Sequence, residues 1–198
     1  MSCDFITGGG KDGTVRLWRT TDEVQLVFNH SQGASIEALG TINAELFVTV
    51  GDNGQISTWS TRKKTPLCSL PLGMNFNLCP EKYNIRVFFR LAHGIDETNL
   101  TPRWISSLAV LPCSDLIATG SHDGFVKLWK IDAKSKKIEP VKEIPIQGFV
   151  NDLKFSSDGQ FLIACLGQEH RLGRWWRIKE AKNQLMYISL SYEDGDKD

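Results

Sequence analysis

The stretch Leu116-Ile117-Ala118-Thr119-Gly120-Ser121-His122-Asp123-Gly124-Phe125-Val126-Lys127-Leu128-Trp129 decides the fold. Apolar and polar residues alternate on both sides of Asp123-Gly124, a pair that supplies the positive φ a tight hairpin needs. A Trp closes the second strand. The same frame recurs upstream in Phe5-Ile6-Thr7-Gly8 through Asp12-Gly13-Thr14-Val15-Arg16-Leu17-Trp18. It recurs again in Leu46-Phe47-Val48-Thr49-Val50-Gly51 through Asp52-Asn53-Gly54-Gln55-Ile56-Ser57-Thr58-Trp59. Asp12, Trp18, Asp52, Trp59, Asp123 and Trp129 are the repeat positions. Phe161-Leu162-Ile163-Ala164-Cys165-Leu166-Gly167 reads as a fourth, degenerate copy whose closing position falls to Trp175 or Trp176.

The Trp positions that close the repeats, 18, 59, 129 and 175, lie 41, 70 and 46 positions apart, against about 40 to 45 for one four-stranded propeller blade. The middle interval is one blade plus an insertion. An alternating segment precedes each of the last three hairpins (35–39, 104–110, 150–155), and another follows each Trp (66–70, 141–146, 184–190). Four strands per unit, with Gly, Asp-Gly and Leu-Trp in register, resembles the WD40 family. The implied fold class is all-β: a partial propeller of about four consecutive C-terminal blades, the first incomplete. The expected divisions are an incomplete first blade (1–29), a second blade (30–71), an insertion with a linking strand or loop (72–103), a third blade (104–148), a fourth blade (149–191) and an acidic disordered tail (192–198). A closed ring holds about four to eight blades. The 198 residues are therefore expected to be the C-terminal part of a larger propeller protein.

Hydrophobic content of 41% suffices for a core, and no apolar run approaches the length of a membrane helix. The first residues form no secretory signal. Five cysteines, odd in number and without a Cys-x-x-Cys pair, indicate neither a disulfide framework nor a zinc site. Reduced and mostly buried thiols are expected. Gly8-Gly9-Gly10-Lys11 enters a hairpin rather than a helix and lacks the spacing of a phosphate loop. The Asp of His122-Asp123 is accounted for by its turn, and no nucleophile pairs with it. No catalysis is expected, and no cofactor, metal or small-molecule substrate is implied.

Net charge is zero, so charge position matters more than the total. Turns joining third to fourth strands should emerge on one face. They would carry Arg62, Lys63 and Lys64 in the second blade, Lys134, Lys136 and Lys137 in the third, and Lys179 and Lys182 in the fourth, a basic arc. Solvated surface lysines and phosphate ligands both fit that arc. Residues 168–182 are more concentrated: Arg171, Arg174, Arg177, Lys179 and Lys182 face only Glu169 and Glu180, a net +3. His170, Trp175 and Trp176 add flat rings. Arg with an exposed aromatic is the combination that unpaired RNA recognition uses. His170 and Arg171 are expected in a loop opposite the Asp-Gly turns.

Residues 167–181, with Phe149-Val150-Asn151-Asp152-Leu153-Lys154-Phe155-Ser156-Ser157 and Trp104-Ile105-Ser106-Ser107-Leu108, resemble the WD-repeat proteins of the U3 small nucleolar ribonucleoprotein. The resemblance covers the chain from Asp4 to about Ile188. It implies a nucleolar RNA-binding scaffold that engages U3 small nucleolar RNA at its box B/C element, beside box C/D core proteins, in processing toward small-subunit ribosomal RNA. His170, Arg171, Arg174, Arg177, Lys179 and Lys182 become the candidate RNA ligands, and the arc is secondary. A protein-binding WD40 adaptor without RNA contact is the alternative. Within 72–103, Ile85-Arg86-Val87-Phe88-Phe89-Arg90-Leu91 alternates like a strand, and 92–101 reads as a mobile surface loop.

Overall fold

The computed structural model describes residues 4–8, 11–29, 34–70, 92–96 and 101–190, apart from the side chains at 4, 5 and 174. The strand expected over 85–91 and the tail at 192–198 lie outside the described residues. Within them all regular structure is β. The strands are β1 Asp4–Gly8, β2 Thr14–Arg19, β3 Val24–Asn29, β4 Ile36–Thr41, β5 Leu46–Gly51, β6 Ile56–Ser60, β7 Lys63–Leu70, β8 Ser107–Val110, β9 Leu116–Gly120, β10 Phe125–Asp132, β11 Lys137–Pro145, β12 Phe149–Phe155, β13 Phe161–Gly167, β14 Glu169–His170, β15 Gly173–Arg177 and β16 Gln184–Ser189.

These strands form antiparallel sheets in chain order: β1-β2-β3, β4-β5-β6-β7, β8-β9-β10-β11 and β12-β13-β16, with β14-β15 as a separate two-stranded ribbon. The turn glycines Gly13, Gly54 and Gly124 take φ of 61°, 71° and 90°, which a Cβ would strain. In the first turn Asp12 accepts from the Thr14 backbone N–H at 3.1 Å, and in the third Asp123 accepts from Phe125 N–H at 3.2 Å. Asp52 instead accepts from Ser35 N–H at 2.9 Å, and Asn53 accepts from Gln55 N–H at 3.0 Å.

Each closing Trp donates its indole N–H to a threonine diagonally across the hairpin: Trp18 to Thr7 at 3.0 Å, Trp59 to Thr49 at 2.9 Å and Trp129 to Thr119 at 2.8 Å. Strand alternation then sends neighbouring side chains into different interfaces. Trp129 and Ile131 pack with Val48, Val50 and Ile56 of the preceding sheet. Val126 and Leu128, from the same strand, pack with Val150, Leu162 and Ala164 of the following one. Trp59 and Phe47 join Val15, Leu17 and Phe28, with the Phe47 and Trp59 rings stacked at 6.0 Å. Each such buried side chain contributes about 1.5 to 3 kcal/mol. Trp18, with no preceding sheet among the described residues, is 37% exposed, against 0% for Trp59 and 5% for Trp129.

The structure departs from expectation in three places. Ala92 and His93 are buried rather than part of a surface loop. The His93 imidazole lies 2.8 Å from Asp123 Oδ2 through Nδ1 and 2.8 Å from Thr119 Oγ1 through Nε2. Asp123 therefore does more than shape its turn: it anchors a chain that runs through His93 and Thr119 to Trp129. The thiols are also less buried than expected, with Cys113 exposed and Cys68 and Cys165 half-buried.

The third departure concerns the last sheet. β13 pairs with β16, with Leu166 opposite Gln184 and Ala164 opposite Met186. The strand expected as fourth thus stands third, and Trp175 does not occupy a blade-core position. Trp175 is 67% exposed and Trp176 39%. The sequence between Gly167 and Gln184 leaves the sheet altogether and forms the ribbon.

Candidate RNA-contacting excursion

Residues 168–183 connect the second and third strands of the last sheet, the place that the Asp-Gly turns hold elsewhere. They therefore stand on the same end as those turns, contrary to the expectation of the opposite end. Lys179 and Lys182 leave the basic arc for the same reason. The arc is reduced to two turns, residues 61–62 between β6 and β7 and 133–136 between β10 and β11. Lys63, Lys64, Lys134, Lys136 and Lys137 are exposed there, and Arg62 pairs with Glu45.

Hydrogen bonds hold the excursion to the sheet. The Asn151 amide donates to Glu169 O at 3.0 Å and accepts from Arg171 N–H at 2.9 Å, as a neighbouring peptide would. Gln168 closes the other side. Its backbone N–H donates to Asn183 Oδ1 at 3.0 Å, and its side-chain amide donates to the Ala181 and Lys179 carbonyls at 2.7 and 3.3 Å. Ile178 N–H returns to Gln168 O at 2.9 Å.

Beneath the ribbon lies an aromatic cluster. The His170 ring meets Trp104 and Phe149 edge-on at 5.9 and 6.1 Å. Trp176 lies 5.6 Å from Trp104 and 5.1 Å from His122. Buried His170 accepts from Leu172 N–H through Nδ1 at 3.2 Å, which leaves the proton on Nε2, an atom without a hydrogen-bond partner. Burial lowers its pKa, the Arg171 charge adds to that, and Glu37 opposes it. Burial, with Arg103, likewise lowers that of His122. Both rings are neutral packing groups at pH 7.

The candidate cations separate into groups. Arg171 is turned inward, where its guanidinium donates to Glu37 O at 2.8 Å and to Asn151 O at 3.4 Å. Arg177 donates to Gln168 Oε1 at 3.0 Å and stands 3.8 Å from Glu169, yet its side chain is 58% exposed. Lys179 and Lys182 are exposed. The Arg174 side chain lies outside the described residues. Asn151, Gln168 and Trp104, which position the excursion, carry no local pattern that would have singled them out. Among the described residues no group of three or more His, Cys, Asp or Glu could hold a metal ion.

Comparison with known proteins places this architecture. The family model described as "WD domain, G-beta repeat" matches residues 97–130 and 139–172. The chain is 45% identical over 171 residues to U3 small nucleolar RNA-interacting protein 2 of Mus musculus, covering 85% of the chain and 32% of that protein. It is 26% identical over 218 residues to ribosomal RNA-processing protein 9 of Saccharomyces cerevisiae, covering 86% of the chain and 38% of that protein. The chain thus spans about a third of the length of these relatives. A solved structure, "Crystal structure of RRP9 WD40 repeats", superposes with a TM-score of 0.80 at 45% identity, over 94% of this chain and 51% of that one. Repeated hairpins, antiparallel sheets packed in chain order and these likenesses agree that the chain belongs to the WD40-repeat family.

Proposed function

We propose that the chain is part of a non-catalytic WD-repeat scaffold of the U3 small nucleolar ribonucleoprotein, acting in the nucleolus in ribosomal RNA processing. In this reading it contacts U3 small nucleolar RNA near the box B/C element, alongside box C/D core proteins. One observation carries it. The last sheet exchanges a tight turn for a firmly anchored excursion that holds Arg177, Lys179 and Lys182 in solvent. The relatives' names, which refer to U3 RNA and ribosomal RNA processing, support the same reading.

Rigid sheets hold these cations at fixed separations, so little order is lost on binding. Arg and Lys neutralise phosphates and fix register, while contacts to splayed bases supply discrimination. The test is crosslinking of the complete parent protein in cells, followed by sequencing of the attached RNA and mapping of the crosslinked peptides. Crosslinks between U3 RNA and residues 168–182 would support the reading. Abundant protein crosslinks on this peptide without RNA would overturn it in favour of a protein-binding adaptor.

A further inference from the structure

On β15 the side chains alternate, and Trp176 points down onto Trp104 and His122. Trp175 therefore points away from the sheet, on the outward side of the ribbon, as does Arg177, which stands opposite Glu169. It is 67% exposed, the most exposed of the described tryptophans. An isolated indole in water gains nothing for the fold. Its conformation is nevertheless defined by what lies beneath it.

A Cβ at Gly173 would stand 2.5 Å from Trp175 Cζ3, 2.6 Å from Cη2 and 2.8 Å from Cε3. Near-equal short distances to three consecutive ring atoms mean that the glycine meets the ring's face, not its edge. One face of the indole is thus seated on backbone while the other is turned to solvent. Arg177, two residues further along β15, donates to Gln168 Oε1 at 3.0 Å and keeps a side chain that is 58% exposed.

Resting on the RNA-binding reading above, we infer that the solvent-facing side of Trp175 is a stacking platform for one unpaired nucleobase, with Arg177 placed for its phosphate. Charge selects this occupant. The segment 168–182 is net +3, and an apolar protein surface laid on the indole would have to desolvate Arg177 beside it. A nucleotide satisfies both groups at once, its base on the ring and its phosphate on the guanidinium. Gly173 is the positioning residue, because any larger side chain lifts the ring from its seat.

The test uses the complete parent protein and a U3 RNA fragment carrying the box B/C element, with affinity measured across a salt series. Trp175→Ala should weaken binding about 5- to 150-fold, the range of losing one base–aromatic stack. Its salt slope should stay unchanged, because no phosphate contact is lost. Trp175→Phe should retain most of the affinity, and Gly173→Ala should reproduce part of the loss with the indole still present. An abasic site at the stacked nucleotide should abolish the difference between wild type and Trp175→Ala. Wild-type affinity in Trp175→Ala overturns the platform, while binding by the parent protein upholds the RNA-binding reading. Unchanged RNA affinity with loss of a core protein from the complex would assign the indole to a protein instead. A parent protein that does not bind the fragment sinks both readings together.

Discussion

The Arg171 guanidinium donates to the carbonyl oxygen of Glu37, 134 residues earlier, at 2.8 Å. The last sheet's excursion is thereby tied to the first strand of the second sheet, two sheets away. Charge-assisted bonds of this kind contribute about 1.5 to 3 kcal/mol. Partial exposure of Arg171 puts the expectation near the lower end. Arg171→Ala should lower unfolding stability by about 1 to 2 kcal/mol in urea denaturation while leaving the salt slope of RNA binding almost unaltered. A flattened slope at full stability would instead make Arg171 a phosphate ligand.

Arg177, Lys179 and Lys182 should behave in the opposite way. Replacing each by Ala in the parent protein is expected to reduce the salt dependence of RNA binding by about one unit or less per lost phosphate contact. Stability should change little, as exposed ion pairs contribute about 0 to 1 kcal/mol. Salt titrations of the single and triple variants check this, and slopes equal to wild type would remove the three from the interface.

Trp129 and Trp175, 46 residues apart and on different strands, give a sharp contrast. Trp129 is buried and hydrogen-bonded to Thr119, so Trp129→Ala should destabilise by about 3 to 5 kcal/mol. Trp175→Ala should shift the melting temperature little, since its ring is largely in water. A large destabilisation by Trp175→Ala would restore it to the blade core.

Stability should fall on mild acidification. Burial depresses the pKa of His93 below the ordinary 6.5; Lys127 acts in the same sense, and Asp123 and Glu143 oppose it. For Asp123, burial raises the pKa, but the hydrogen bond from His93, with the Lys127 charge and the Phe125 backbone hydrogen bond, outweighs it and leaves the carboxyl below its usual range. The pair is thus a neutral imidazole donating to a carboxylate. His122 and His170 are depressed as well. Below about pH 6.5 the unfolded chain takes up protons that the folded histidines refuse. Stability is therefore full above that pH and lost as pH falls, by at most about 1.4 kcal/mol per unit for each histidine. Urea midpoints at pH 8, 6.5 and 5.5 check the direction, and a rise toward pH 5.5 would contradict it.

The hairpins around Asp12-Gly13, Asp52-Asn53-Gly54 and Asp123-Gly124 were legible because turn chemistry and alternation are local. The last sheet was not, because Trp175 and Trp176 sit near the repeat's closing position and imitate it. The counter-signal was an absence: residues 168–174 hold no Asp-Gly pair, while 184–189 alternate like any third strand. Net cationic character at 168–182 was visible, but the inward turn of Arg171 depends on Glu37 and Asn151, which no nearby residue announces. His93 was hidden for a similar reason, since its partners Thr119 and Asp123 lie 26 and 30 residues downstream.

The ribbon leaves β13 after Gly167 and re-enters at Gln184, directly across the ladder from Leu166. Entry and exit are already one strand spacing apart, so the sheet's hydrogen-bond ladder continues beneath the inserted piece as though it were absent. Such a segment is a cassette. Its length and chemistry can be exchanged with little demand on the frame that carries it, and the frame can be preserved while its recognition changes.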